Sequence, residues 1–451
     1  MRVYKPSGIK WLGEIPQGWE IKKLKYIGEI FGGVTGKTIK DFSKEYKLNF
    51  KPYITFTNVC NNAVINPDLM EYVFIDSKEK QNKVLKNDIL FLQSSETFED
   101  VGKSAIYLNN DEVYLNTFCK GFRIEREAYP MYLNYLLSSL SYKRYFMSVC
   151  SGFTRINLRQ EHFLDIPLIL PPLQEQKEIA EFLDSKCEKI QNYIEKKQML
   201  ITLLQEKKQA LINEVVTKGL NPNIEFKNSE IEYLGLIPHH WEVVKVKYIA
   251  TTNIGLVYDP SEIATNENVG YPVLRANNIQ NGKIDYKDVI YVAKKIDDKQ
   301  LAISGDLLMC VRNGSENLLG KTAKIENNNF SFGAFTAIIR SDLNNYLYWI
   351  FQTEMLKKSI SSFIVSIGIG QISQDDIKNF KIPLPPLQEQ KQIANFLDKK
   401  CEKINSAIEK TKRQIKLIKE YKNTLINEAV CGRVACSRDF SPTAQNDKKK
   451  N

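Results

Sequence analysis

The sequence predicts an α+β protein of two similar globular domains joined by two long helices that pair as an antiparallel coiled coil, with pseudo-twofold symmetry. Three observations predict it. PPLQEQKEIAEFLDSKCEKI, starting at Pro171, returns as PPLQEQKQIANFLDKKCEKI, starting at Pro385, a period of 214 residues (385 minus 171). Solenoid and propeller repeats are far shorter, so the period marks two whole domain-plus-helix units. The openings WLGEIPQGWEIKKLKYI (11–27) and YLGLIPHHWEVVKVKYI (233–249) share Leu-Gly, Ile-Pro, Trp-Glu and Lys-Tyr-Ile at one spacing, so the domain starts repeat too. Both repeated segments place apolar residues every three to four positions along their length, the pattern of a coiled-coil seam.

The chain of 451 residues is long enough for each unit to bury its own core, and 43% hydrophobic with 26% charged residues is ordinary for a folded protein. A formal net charge of +10 is compatible with a polyanionic partner. No signal-peptide core and no stretch near the roughly 18 apolar residues of a membrane span is present, which predicts a cytoplasmic protein without membrane association. The eight cysteines form no CxxC pair, and His162, His239 and His240 are the only imidazoles, so no metal site and no cofactor is predicted. Cys187 and Cys401 hold equivalent seam positions and read as packing residues.

Within the domains, KNDILF (86–91) matches SGDLLM (304–309), each a polar turn leading into an apolar strand. VGKSAIY (101–107) matches LGKTAKI (319–325), and FRI (122–124) matches IIR (338–340) loosely. One helical patch follows in each domain, 132–146 and 346–363. The long helices start just after Pro-Pro, where proline is tolerated and Glu175 or Glu389 suits the first turn. Along the first seam lie Ile179, Leu183, Cys187, Ile190, Ile194, Ile201, Leu204, Leu211 and Val215, with Ile393 through Ala429 as counterparts; Lys197, Lys208, Thr411 and Lys422 interrupt it. Expected segments are a first domain at 1–170, a helix at 171–218, a linker and second domain at 219–384, a helix at 385–432, and a disordered tail at 433–451.

Connectivity sets the expected orientation. The short linker GLNPNIEFKNSE puts the second domain at the far end of the first helix, about 65 Å from its start at ~1.5 Å rise per residue. The second helix then starts there with an open seam. Eight buried Ile or Leu side chains at roughly 1.5–3 kcal/mol each favour folding back along the first helix. Two like domains related by an approximate twofold match the local dyad of duplex DNA.

The doubled PPLQEQ helix and the paired LGxIPxxWE openings resemble the specificity subunit of type I restriction-modification systems, from about Ile9 to Gly432. The resemblance implies two target-recognition domains that each read half of a bipartite site in double-stranded DNA. It also implies helices that space them and dock two methylation subunits and, through the complex, restriction subunits. Whole turns inserted after Leu203 are then expected to lengthen the gap between half-sites; an unchanged gap in a methylome map would refute this. Partner contacts are expected from the exposed first turns, Gln174, Glu175 and Gln176 with Gln388, Glu389 and Gln390.

DNA contacts are expected where the copies keep spacing and change chemistry. LQSSETFEDV, between Phe91 and Gly102, faces CVRNGSENLL, between Met309 and Gly320, with Ser94 and Ser95 matching Arg312 and Asn313. Arg and Asn suit bidentate contacts to guanine and adenine edges. TFTNV supplies Thr57 and Asn58, and LRANNI supplies Arg275, Asn277 and Asn278. SGFTRINL supplies Arg155 and Asn157, and IGIGQISQ supplies Gln371 and Ser373. GGVTGKT (32–38) fails the spacing of a phosphate loop, since Phe31 stands where its first glycine is needed, leaving Lys37 and Lys40 as DNA-phosphate candidates. The only Pro-Pro pairs precede Leu-Gln, so the Asn/Asp-Pro-Pro-Phe/Tyr motif of an adenine methyltransferase is missing. No helicase phosphate loop, S-adenosylmethionine fingerprint or nuclease cluster is found either. The chain is therefore read as non-catalytic. The competing readings are a coiled-coil protein scaffold without specific DNA binding and a standalone DNA-modifying enzyme with a divergent site.

Overall fold

The computed structural model describes residues 2–152, 154–265, 268–313, 318–355, 358–359 and 370–434. It divides into two units, Met1–Lys197 with Arg413–Asn451, and Gln198–Lys412. The long helices Leu173–Lys218 and Leu387–Val430 therefore each contribute a part to both. The expected disordered tail falls almost wholly outside the described residues.

In the first unit an antiparallel sheet runs Ser104–Ile106, Ile89–Leu92, Cys119–Ile124, Gly28–Gly32. Every residue of Ile89–Leu92 is buried, as a central strand covered on both faces requires. A second sheet runs Tyr114–Leu115, Phe50–Ile54, Glu71–Phe74, Phe42–Ser43. The second unit repeats the plan with Thr251–Ile254, Thr336–Arg340, Leu307–Cys310 and Thr322–Lys324, then adds the short strands Lys283–Ile284 and Ile279–Gln280. The helical patch of the first unit is two helices, Pro130–Ser138 and Leu140–Val149, because Ser139 is extended (φ −70°, ψ 160°) and breaks the run. Its counterpart begins as Asn344–Phe351, and its expected end lies outside the described residues.

Both central sheets are pinned by the same buried ion pair. Arg123 Nε and Nη2 donate to Asp88 at 3.1 and 2.7 Å, and Arg340 Nε and Nη2 donate to Asp306 at 2.9 and 2.7 Å. Arg123 thus corresponds to Arg340, one place from the loose FRI/IIR match, because a strand that opposes Ile89 with Phe122 and Leu307 with Ile339 must carry the arginine next.

The opening of each domain pairs with its last strand, Glu20–Lys23 with Pro167–Leu170 and Glu242–Lys245 with Lys381–Leu384. This brings the repeated tryptophan to the first turn of the helix that follows. Trp19 Nε1 donates to Glu175 at 3.0 Å, and Trp241 Nε1 to Glu389 at 3.1 Å. Arg2 also pairs with Glu175, and His240 Nε2 lies 2.9 Å from Glu389. Gln176 and Gln390 are buried rather than exposed. Their amides donate to the carbonyls of Pro171 and Pro385 at 2.8 and 2.7 Å, and Gln176 accepts from Tyr129 N. The PPLQEQ turn is thus first an internal joint: its second glutamine and its glutamate fasten the helix to its own domain, and Gln174 and Gln388 are left outward.

In each unit the start of one long helix packs antiparallel on the end of the other. Ile179, Leu183, Cys187 and Ile190 meet Leu425, Ile426, Ala429 and Val430 in the first core; Ile393, Leu397 and Cys401 meet Ile212, Val215 and Val216 in the second. Burial pushes the Cys401 thiol up to about 11 against nearby Lys208, and pushes the Cys187 thiol up against nearby Lys422. Both therefore pack as neutral thiols. Three of the four polar seam positions are satisfied locally: Lys208 Nζ donates to Asn405 at 3.0 Å, Thr411 Oγ1 donates to the Ala407 carbonyl at 2.8 Å, and Lys197 Nζ lies 5.3 Å from the Tyr193 ring.

Candidate nucleic-acid interface

Two of the candidate segments meet as a ladder in each unit. Ser94–Ser95 pairs antiparallel with Ile156–Asn157, and Arg312–Asn313 with Gly370–Gln371. Ser94 faces Asn157; Arg312 faces Gln371. The same backbone frame therefore displays different side chains in the two units.

A phenylalanine anchors each ladder. The Phe118 carbonyl accepts from Gln93 N and Ser94 N at 3.0 and 3.3 Å, and the Phe335 carbonyl from Val311 N and Arg312 N at 2.9 and 3.3 Å. These matched bonds make Phe118 and Phe335 equivalent, and the two residues are 39% and 57% exposed. A guanidinium covers each ring: Arg155 Cζ is 4.3 Å from the Phe118 centroid, and Arg312 Cζ is 5.3 Å from that of Phe335. The arginine comes from opposite sides of the ladder in the two units, Arg312 from one strand and Arg155 from just before the other.

In the second unit this pair forms one wall of a cleft of about 630 Å³ lined also by Tyr258, Arg275, Asn277 and Asn313. Arg275 pairs with Asp288 at 3.1 Å, and its buried Nε has no hydrogen-bond partner. The cleft is shaped by a close backbone approach. A Cβ on Gly255 would stand 2.2 Å from the Phe332 carbonyl oxygen, and one on Gly33 would stand 2.0 Å from that of Asn116. Only glycine permits this at either place. Gly33 belongs to GGVTGKT, where it therefore serves packing.

Several expected contacts have other work. Asn58 and Asn278 are buried, not displayed. Asn58 donates to the Asn66 carbonyl at 2.8 Å, and Asn278 to those of Asp285 and Asp288 at 2.8 and 3.0 Å, because a buried amide must satisfy its polar atoms inside the fold. Ser94 and Ser95 are buried as well, the Ser94 hydroxyl without a partner. Lys37 has a side chain only 8% exposed and pairs with Glu79, so it is not a free phosphate ligand. The Ser373 hydroxyl accepts from Asp376 N at 3.0 Å as the cap of helix Gln374–Asn379. Lys40, Thr57, Arg155, Asn157, Asn277, Arg312 and Gln371 are exposed. Sequence reasoning missed Phe118, Phe335 and Tyr258. The available signal was a phenylalanine preceding the central strand in both copies.

The type I restriction modification DNA specificity domain matches this sequence twice, at residues 16–204 and 238–417. The MjaVIII type I restriction enzyme specificity subunit of Methanocaldococcus jannaschii is 26% identical over 446 residues, covering 96% of this chain and 97% of that one. The EcoKI specificity subunit of Escherichia coli K12 is 25% identical over 399 residues, covering 86% and 82%. A solved chain from work on complex assembly and conformational transition of the type I R-M system superposes with a TM-score of 0.72 at 16% identity, over 93% of this chain and 99% of that one. The HsdS subunit of Thermoanaerobacter tengcongensis superposes with a TM-score of 0.51 at 18% identity, over 93% and 98%. With two matched domains that together cover most of its length, this chain belongs to the family of type I restriction-modification DNA specificity subunits.

Proposed function

We propose that each unit of this specificity subunit reads one half of a bipartite site in double-stranded DNA, and that the chain acts as a non-catalytic address in the cytoplasm for two methylation subunits and, through them, restriction subunits. One observation carries the reading: the same ladder exposes Asn157 beside a buried Ser94 in one unit, and exposes Arg312 and Gln371 in the other. Unlike side chains on like frames recognise unlike half-sites, because donors and acceptors at base edges, not the frame, carry sequence information. Lys40 and other exposed lysines supply the phosphate attraction that holds the frame in register.

The test is duplex binding by the chain assembled with its methylation subunits, across a salt series. The expected logarithmic slope is about −0.9 per phosphate neutralised, with tighter binding to the mapped motif than to scrambled DNA. A flat salt response would remove the DNA-reading role. The chain by itself is expected to transfer no methyl group and cut no strand, and either activity from it alone would overturn the non-catalytic assignment.

A further inference from the structure

We propose that Arg155 and Arg312 are the matched guanine readers of the two units, each carried on the exposed ring of Phe118 or Phe335, so that each half of the target contains one G·C pair read by this Arg–Phe element. The proposal rests on the half-site reading above and adds which residue reads which base.

Four arginines lie over aromatic rings among the described residues. Two have their N–H groups committed inside the fold: Arg2, over Trp19, donates to the Gly432 carbonyl and Glu175, and Arg123, over Phe31, donates to Asp88 and the Lys83 carbonyl. The guanidinium groups of Arg155 and Arg312 donate to no acceptor among the described residues. A guanidinium lying on a ring keeps its in-plane N–H edges outward, and stacking removes part of the rotamer freedom that binding otherwise costs. Two parallel donors held in one plane match O6 and N7 of guanine in the major groove. Phe118 and Phe335 are equivalent by their backbone bonds, whereas the arginines are not equivalent in sequence. Where Arg312 stands, the first unit has Ser94, and its guanidinium comes from Arg155, the residue just before the other strand of the ladder. The same element is thus built by two routes, which a generic surface cation would not require.

The methylome motif written by the intact complex in cells is the first readout. A half-site without any G·C pair overturns the proposal at once, while leaving a bipartite DNA reader standing. Binding by the wild-type complex is then measured on duplexes with 7-deazaguanine placed singly at each guanine of the motif. The expected result is a loss of roughly 2- to 15-fold at one guanine in each half, the net cost of one hydrogen bond, because 7-deazaguanine lacks the N7 acceptor and keeps O6. Arg312→Met keeps the side-chain stem on Phe335 and removes the charge. It should abolish the 7-deazaguanine penalty in one half only, and Arg155→Met in the other only. If a variant instead weakens binding to every sequence alike and lowers the salt slope by about one, its arginine is a phosphate contact and the proposal fails. The wild-type 7-deazaguanine series needs no variant to fold, and an absence of any penalty there also refutes it. Failure of the wild-type complex to prefer its motif at all would refute the half-site reading instead.

Discussion

Replacing Arg123 with methionine is expected to destabilise the first unit by about 3–5 kcal/mol at neutral pH, the cost of leaving one charge of a buried pair alone. Asp88 is 2% exposed and its carboxylate receives both Arg123 bonds, so no water replaces the lost donors. Burial holds the Asp88 carboxyl above its ordinary value, and the Arg123 hydrogen bonds pull it down. Removing the arginine leaves only the Leu85 N–H bond, at 2.7 Å, opposing burial, and raises the folded-state value further. A carboxyl raised in the folded state contributes stability below its unfolded value, lost as pH rises through the folded value. The Arg123→Met deficit should therefore shrink as pH falls toward 4, and Asp88→Asn combined with Arg123→Met should recover part of it at neutral pH. Hydrogen exchange of the strand Ile89–Leu92 across pH checks both. A deficit independent of pH would mean that the arginine acts through packing on Phe31.

Exchanging the reading domain of the first unit for that of another family member is expected to replace one half of the methylated motif completely and leave the other half untouched. The cuts belong at Leu24 and Ile166, because Glu20–Lys23 is laddered to Pro167–Leu170 and any cut that separates the two pairs a foreign strand with a native one. Leu24 N already bonds the Ile166 carbonyl at 2.9 Å, which makes these positions a closed neck. Long-read methylome sequencing reads the outcome. A motif altered in both halves, or in neither, would contradict independent half-site reading.

Much of the scaffold was legible because its signals are periodic. A seam at three-to-four spacing and a 214-residue return of PPLQEQ need no knowledge of distant contacts. The interface was legible only in part. Contrast between the copies points to Arg155, Arg312 and Gln371, which the structure leaves exposed, and equally to Asn58 and Asn278, which fasten loops from inside. Residue type alone does not separate an amide facing a groove from one facing a carbonyl. Lys37 misled for the same reason: Glu79, its partner, is distant in sequence.

The sequence by itself determined the family, the doubling and the long helices, since each is written in local pattern or in self-similarity along the chain. Only the tertiary structure decided that the Trp-Glu opening and the PPLQEQ turn form one joint, through Trp19 with Glu175 and Trp241 with Glu389. It alone also made Phe118 the counterpart of Phe335 and set arginines from opposite sides of the ladder over them. The physical reason is the same in each case. Hydrogen bonds and ring stacking act over a few ångströms in space between groups far apart along the chain, and no local spacing encodes which of them will meet.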